Sequence, residues 1–262
     1  MEIGCHLINL KTEAGRRVWM SKQLAELAIP YIIFEAIDRE AVDARFAAYR
    51  DDPRRQALGR AEVGCLLSHV GVWRRIMEGP HAWGLVLEDD VHLAADFDTF
   101  LATFQADPEA MAIHKIETMG ARVTVEREPV YRATKRAAHR LITNHAGTAA
   151  YIISRKVAAV LAGRYEAFRF AVDTELFDFQ RQTFSTLTIY QWLPAPCVQD
   201  DVIDVDHRQG LGSVIGHDRF DVYKGPKEKE KILVAALRAF YTWAYSLLLR
   251  PRGQMRVEVK FG

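Results

Sequence analysis

The sequence predicts an α/β fold whose mainly parallel sheet is flanked by helices, and three features of the chain lead there. Strand-like and helix-like segments alternate over most of its length. The strand candidates are continuous apolar runs rather than alternations of apolar and polar residues, as expected of strands covered on both faces. Polar groups stand where these runs end: Asn9 and Lys11, Asp38, Glu88 to Asp90, and Lys115 with Glu117. In open α/β sheets ligands bind beyond the carboxyl ends of the strands, so these endings are the first place to look for a site. At 262 residues and 49% hydrophobic, the chain can bury the core of one large domain with an appendage.

The elements follow in order. "EIGCHLINL" (2–10) is apolar and strand-like, so a buried strand is expected to open the fold. "GRRVWMSKQLAELAI" (15–29) has Trp19, Leu24 and Leu27 at roughly helical spacing before Pro30 stops it. "YIIFEAID" (31–38) is a second strand ending at an acid, and the stretch to Arg60 predicts irregular structure or short helices. "AEVGCLLSHVGVWRRIMEG" (61–79) puts Leu66, Val70, Trp73 and Met77 on one helical face, and Gly79-Pro80 ends it. "AWGLVLEDDV" is the third strand, "FDTFLATFQ" begins a helix, and "MAIHKIETMG" (111–120) is a strand. A loop or hairpin follows in "ARVTVEREPVYRATKR". "GTAAYIISRKVAAVLAG" (147–163) is strand then helix, "VDTELFDFQRQTF" is helical, and "TLTIYQWLPAPCVQ" ends in a proline-punctuated segment.

Overall charge excludes some classes of partner. Lysine plus arginine number 35 against 34 acidic residues, so no nucleic-acid partner is expected. The balance is uneven: residues 224–262 hold nine basic and three acidic side chains, leaving a mildly acidic body. Cys5, Cys65 and Cys197 are odd in number and set in apolar contexts, which suits reduced thiols of a cytosolic protein better than a disulfide framework or a zinc site. The opening residues lack the features of a secretory signal peptide.

The most informative stretch is "LVLEDDV" (85–91), three carboxylates at the end of an apolar run. Like charges this close repel, and burying one without a partner is costly. On an extended segment Glu88 and Asp90 point to one side and Asp89 to the other. A hard divalent cation with oxygen ligands would relieve the repulsion and could hold a diphosphate, whereas a solvated strand end or a helix cap would need no ligand.

"EVGCLLSHVGVWRRI" (62–76) followed by "WGLVLEDDV" (83–91) resembles the signature of glycosyltransferase family 25, the lipopolysaccharide sugar transferases. The opening "CHLINLKTEAGRRVWMSKQLAELAIPYIIFEAID", the later "GTAAYIISRKVAAVLA" and "VDTEL" (172–176) are similar to other blocks of that family. Ala171 departs from it, standing where the family carries proline. The resemblance implies a GT-A-like nucleotide-binding fold. It also implies a nucleotide diphosphate sugar donor, with a UDP-hexose and galactose favoured, a saccharide or glycolipid acceptor, inversion at the anomeric carbon, and Mn2+ or Mg2+ as cofactor.

Roles follow by position. Glu88 and Asp90 would face the metal and diphosphate, with Asp89, Asn9, Arg17 and Asp38 on the donor nucleotide. Glu62, Ser68, His69, Lys115 and Glu175 would contact donor or acceptor. Asp173 would be the base that takes the acceptor proton, with Glu175 in reserve. Blander roles exist for each: Asp173 before "TELFDF" suits a helix N-cap, Glu62 a helix start, and His69 a hydrogen-bonded core position. His207 in "DDVIDVDHRQG" is either a late metal ligand or part of a polar loop. Two other classes stay open on the residues alone: a phosphatase or nucleotidyl hydrolase using the same acids, and a noncatalytic or metal-independent saccharide-binding relative.

Residues 1–223 are expected to form the transferase domain and 224–262 a basic, apolar helical tail. "ILVAALRAFYTWAYSLLL" (232–249) is apolar nearly all round, with Lys231, Arg238, Thr242, Ser246 and Arg250 as a narrow polar stripe. Basic flanks and interior Arg238 suit a helix lying in an anionic membrane surface, or packing on protein, better than one that spans. The expected location is therefore cytoplasmic, peripheral on the inner face of the cytoplasmic membrane.

Overall fold

The computed structural model describes residues 3–55, 58–180, 187–212 and 253–262. The first half reads β1 (Ile3–Asn9), α1 (Ala14–Glu26), β2 (Tyr31–Glu35), α2 (Arg39–Arg45), α3 (Ala47–Arg50), α4 (Arg60–Glu78), β3 (Trp83–Glu88), β4 (Val91–Leu93) and α5 (Phe97–Thr103). There follow β5 (Ala112–Lys115), β6 (Glu117–Thr118), β7 (Arg122–Glu126), β8 (Tyr131–Ala133), β9 (Arg136–Arg140), β10 (Ala150–Ser154) and α6 (Arg155–Arg164). The remaining elements are α7 (Val172–Phe177), β11 (Thr188–Leu193), β12 (Cys197–Gln199) and β13 (Gln254–Glu258).

Eight strands form the main sheet in the order β2-β1-β3-β10-β5-β11-β9-β8. The α/β class is as expected, but the sheet is mixed rather than mainly parallel. β2, β1 and β3 run parallel, as do β5 and β11, while β10 is antiparallel to both its neighbours and β8–β9 form an antiparallel hairpin. The cause of the misreading is physical. All five residues of β10 are buried, and a central strand covered on both faces is apolar throughout whichever way it runs.

Two apolar layers sandwich the sheet. Alternation along β3 sends Val86 toward α4, where it joins Leu66, Val70 and Trp73, and sends Leu85 and Leu87 toward α1, where they join Met20 and Leu24. That parity continues into the acids and decides where each one goes. Helix α4 lies close to the strands because Gly64 has no side chain: a Cβ there would come within 2.3 Å of the Ile37 carbonyl oxygen. The carboxyl ends of β1, β3 and β5 and the amino end of β10 consequently share one edge.

The end of the expected tail belongs to the body instead. β13 pairs antiparallel with β7, Ala195 N donates to the Lys260 carbonyl at 2.8 Å, and Gly262 N donates to that of Ala195 at 3.1 Å. Residues 254–258 read as strand because Met255 and Val257 alternate with polar neighbours, the period of a pleated edge and not of a helix. The expected helix at 232–249 lies outside the described residues. Among the described residues no helix is long and apolar enough to cross a membrane.

Candidate active site

The three acids separate as strand parity requires. Glu88 emerges on the α4 side, where its Oε1 lies 3.2 Å from His69 Nε2 and accepts from Thr148 Oγ1 at 2.9 Å. Asp89 turns to the α1 side and is held by Asn9 Nδ2 at 2.8 Å and by an Arg16 guanidinium nitrogen at 3.0 Å. Among the described residues the Asp90 carboxyl meets only long contacts, Gln199 Nε2 at 3.3 and 3.4 Å and Arg16 at 3.8 Å.

Helix α1 is clamped beside these acids. Trp19 Nε1 and Gln23 Nε2 donate to the Val91 carbonyl at 3.1 and 2.8 Å, and Leu93 N donates to Gln23 Oε1 at 2.9 Å. Arg16, Met20 and Leu24 share the buried face of the helix. Arg17, expected on the donor, is exposed, and its neighbour Arg16 is the arginine that reaches the acids. Arg16 Nε also donates to the Leu211 carbonyl at 3.1 Å, which draws the loop after β12 over the site. Asp200 shapes that loop by accepting from His92 Nε2 at 2.7 Å and from the backbone N–H groups of Gln209 and Leu211 at 2.7 and 2.9 Å. His207 is exposed on this loop, so it stands as part of a polar surface.

The electrostatics differ sharply within the triplet. Burial pushes Glu88 up, but hydrogen bonds from His69 and Thr148 and the charge of Lys115 outweigh it, so its carboxyl sits below the usual range. Burial raises Asp89 despite Arg16 and Asn9. Asp90 is pushed up to about 8, by burial first and then by the negative charge of Glu88. Among the described residues Arg16, 3.8 Å away, does little to offset the charged form of Asp90.

His69 is fixed from behind. Trp73 Nε1 donates to the Tyr151 hydroxyl at 2.8 Å, and that hydroxyl lies 2.8 Å from His69 Nδ1. The indole can only donate, so the phenol oxygen accepts from it, and the contact of that hydroxyl with Nδ1 holds the imidazole with Nε2 toward Glu88. Cys65, His69 and Glu88 bring their ligand atoms within 4.8 Å of one another, a spacing that would suit a soft metal. Burial with the surrounding acids holds the Cys65 thiol far above its ordinary range, which disfavours the thiolate such a metal would take. The chemistry of the acids instead fits a hard cation, with oxygen from Glu88 and Asp90. Both oxygens of Asp89 are engaged by Asn9 and Arg16.

Glu88 stands where two cavities meet. The larger, about 310 Å³, runs from the ends of β1 and β2 to the acids and is lined by Ile8, Ala36, Asp38, Arg16, Asp90 and Gln199 among others. The smaller, about 230 Å³, lies beyond Glu88 and is lined by Glu62, Gly147, Thr148, Asp173 and Asp201. Cys65, Glu88 and Gln199 line both, so the two form a continuous cleft.

The other expected residues fall into place around it. Asp38 caps α2, its Oδ1 accepting from Ala41 N at 2.7 Å, at the wall of the larger lobe. Ser68 accepts from Ile37 N at 2.8 Å and donates to the Gly64 carbonyl at 2.7 Å, tying α4 to the end of β2. Glu62 reaches back to Gly59 N at 3.0 Å while facing the smaller lobe. Glu175 is buried, its Oε1 accepting from the N–H groups of Arg169 and Phe170 at 2.7 and 3.0 Å, so it braces the turn ahead of α7. Lys115 is fully buried.

Asp173 does not cap α7. Ala171 is the N-cap, with φ −55° and ψ 151°, dihedrals that a proline would also adopt, so the turn keeps its form without one. The Asp173 carboxylate is half-buried in the smaller lobe, where it accepts from Thr174 N at 2.7 Å and from Gly147 N at 3.4 Å. Thr148, Gln199 and Gly147 were not expected at the site. The last two stand in segments whose polar residues look like ordinary loop chemistry.

A two-lobed cleft with a buried acid, Asp90, poorly offset at its waist and a carboxylate, Asp173, beyond is a layout suited to group transfer. The model of glycosyltransferase family 25, described as a family of LPS biosynthesis proteins, matches residues 2–176, and the chain belongs to that family. Lacto-N-neotetraose biosynthesis glycosyltransferase LgtB of Neisseria meningitidis serogroup B is 30% identical over 82% of this chain and 82% of its own. LgtE of the same organism is 29% identical over 74% of this chain and 73% of its own. Mouse procollagen galactosyltransferase 2 is 34% identical over 38% of this chain and 18% of its own length. Family membership makes the protein a glycosyltransferase.

Proposed function

We propose that this protein transfers a hexose, galactose favoured, from a UDP-sugar to the terminal sugar of a lipopolysaccharide-type acceptor, with inversion. The observation that carries the reading is Asp90, buried and short of positive charge beside Glu88 at the waist of the cleft. Glu88 and Asp90 would hold a Mn2+ or Mg2+ ion, which when bound stabilises the negative charge that develops on the leaving diphosphate. Galactose is favoured because a relative 34% identical over 38% of this chain bears the name of a galactosyltransferase.

In this reading the nucleoside lies in the larger lobe against Ile8 and Ala36, with Asp38 at its wall for a ribose or base contact. The acceptor occupies the smaller lobe. Its hydroxyl oxygen forms the new bond to the anomeric carbon as the bond from that carbon to the diphosphate oxygen breaks. The hydroxyl proton passes to the Asp173 carboxylate, which faces this lobe. Attack from the smaller lobe on a sugar held by its diphosphate in the larger one places nucleophile and leaving group on opposite sides, hence inversion. A screen of nucleotide sugars with a lactose- or glucose-terminated acceptor tests the reading: nucleoside diphosphate should be released only when acceptor is present. Equal release without acceptor would make the protein a hydrolase.

Arg16 and Arg17 give a sharp contrast. Arg16→Gln removes the positive charge beside Asp89 and Asp90 and loosens the loop over the donor lobe, so donor KM is expected to rise at least about tenfold. Arg17→Gln, on the exposed face, should change it less than about twofold. Steady-state kinetics on the two variants decides.

The basic segment 224–252 is proposed to dock on an anionic membrane, where a lipid-linked acceptor would be met. Replacing it with a Gly/Ser linker while keeping 253–262, which pair with the body, should abolish cosedimentation with phosphatidylglycerol vesicles. Unchanged cosedimentation would refute the anchor.

A further inference from the structure

Burying an ion pair seldom stabilises a fold, because the desolvation cost rivals the attraction, and well-packed apolar residues do as well. One such pair lies directly beneath the cleft. Lys115 at the end of β5 and Glu117 in β6 have side chains with no exposed surface, and Lys115 Nζ donates to Glu117 Oε1 at 2.6 Å. What else the pair touches is informative. Lys115 Nζ donates to the Gly147 carbonyl at 2.6 Å, and Glu117 Oε1 accepts from Ala149 N at 3.0 Å. The two charges therefore grip both ends of one three-residue bridge, 147–149, that leads into β10.

The free faces of that bridge hold the reacting groups. Thr148 Oγ1 donates to Glu88 Oε1 at 2.9 Å, and Gly147 N points to Asp173 Oδ2 at 3.4 Å. The same ammonium lies 4.4 Å from the centre of the Phe177 ring, on the helix whose first turn carries Asp173. His145 N, just ahead of the bridge, donates to the Phe177 carbonyl at 3.1 Å. Space under the bridge is fully used. Gly147 has φ +83°, and a Cβ there would stand 3.0 Å from Glu117 Oε1 and from Met119 Sδ.

We propose that Lys115 and Glu117 are positioning residues: the buried pair sets the 147–149 bridge and α7 so that Glu88 and Asp173 face the cleft at a fixed separation. This rests on the roles given to Glu88 and Asp173 above. Neither Lys115 nor Glu117 touches substrate. The pair is retained under the site because it joins a carbonyl, an N–H group and an aromatic face from the two elements that must keep register, which an apolar pair cannot do.

The test compares K115M, E117Q, the double variant K115M/E117L and T148V. Each single change at the pair leaves one buried charge unpaired and should lower the melting temperature, whereas the double variant should recover most of it. In the double variant kcat should nevertheless fall at least tenfold with donor and acceptor KM within threefold. Amide hydrogen exchange in a peptide covering 145–150 should quicken at least tenfold. T148V keeps the pair and should lower kcat with exchange unchanged, and it stands as the test should the double variant fail to fold. Wild-type kcat or wild-type exchange in the double variant, or wild-type kcat in T148V, overturns the proposal. Absence of sugar transfer by the wild-type protein from every donor would instead defeat the functional reading, while the exchange measurement would still judge the bridge.

Discussion

Asp90→Asn is expected to give a protein that melts higher than the parent in metal-free buffer and transfers sugar at least about a hundredfold more slowly. The gain in stability comes from removing a buried acid that has Glu88 and Asp89 as neighbours and only long contacts to Gln199 and Arg16. An amide keeps the shape and removes the charge, for a gain of roughly 1–3 kcal/mol, or about 2–4 °C per kcal/mol in a chain of this size. The pH dependence carries the same signature. The Asp90 carboxyl is raised to about 8 in the folded protein, well above its value in an unfolded chain. Its contribution to stability is therefore fully present below the unfolded value, about 4, and declines as pH rises toward 8. Melting temperatures measured from pH 5 to 9 without metal should fall more steeply for the parent than for the variant. Manganese should raise the parent's melting temperature, more so at pH 8 than at pH 6, because a proton must leave Asp90 for the cation to bind. A variant less stable than the parent, with no change in slope, would mean that Asp90 is satisfied by its protein neighbours.

Asp173→Asn should separate catalysis from folding in the opposite way. An aspartate that caps a helix stabilises it, and its loss is felt in the melting temperature. Here Ala171 occupies the cap, and an asparagine carbonyl in place of Oδ1 keeps the short bond from Thr174 N, giving up only the 3.4 Å contact of Gly147 N with Oδ2. The melting temperature is expected to stay within about 2 °C of the parent. The loss of a base in the smaller lobe should reduce kcat by about 10² to 10⁴, with both KM values within about threefold. Metal and nucleotide binding should be unaffected, since the proposed function puts both on the other side of Glu88. A normal kcat would return the base to another carboxylate of the lobe, of which Glu62 and Asp201 are present.

Much of the architecture was legible because it is written in periodicities. The apolar run 83–88 gave β3, the spacing of Leu66, Val70 and Trp73 gave α4, and strand parity alone put Glu88 and Asp89 on opposite faces. Strand direction was not legible, since β10 is as apolar as a parallel strand would be. Arg16 and Arg17 were both candidates for the diphosphate from sequence, and helical phase separates them. Arg16, Met20 and Leu24 are spaced four apart, so the helical phase of two apolar residues already marked Arg16 as the inward arginine. Lys115 and Glu175 carry charge at strand and helix ends, where solvent or substrate contact is the usual expectation, yet both are buried, Lys115 on the Gly147 carbonyl and Glu175 on the backbone of the turn ahead of its own helix. Nothing local in sequence marks Thr148 or Gln199, because their partners Glu88 and Asp90 are brought to them by sheet order alone.

Calorimetric titration of UDP into the protein, with and without manganese, reaches the central point with no need to know donor or acceptor. Binding strengthened at least tenfold by the ion, and an ion dependence that disappears in Asp90→Asn, is the result expected if a cation bridges the waist acids to the diphosphate. Equal UDP affinity with and without the ion, or the same ion dependence in Asp90→Asn, would contradict it.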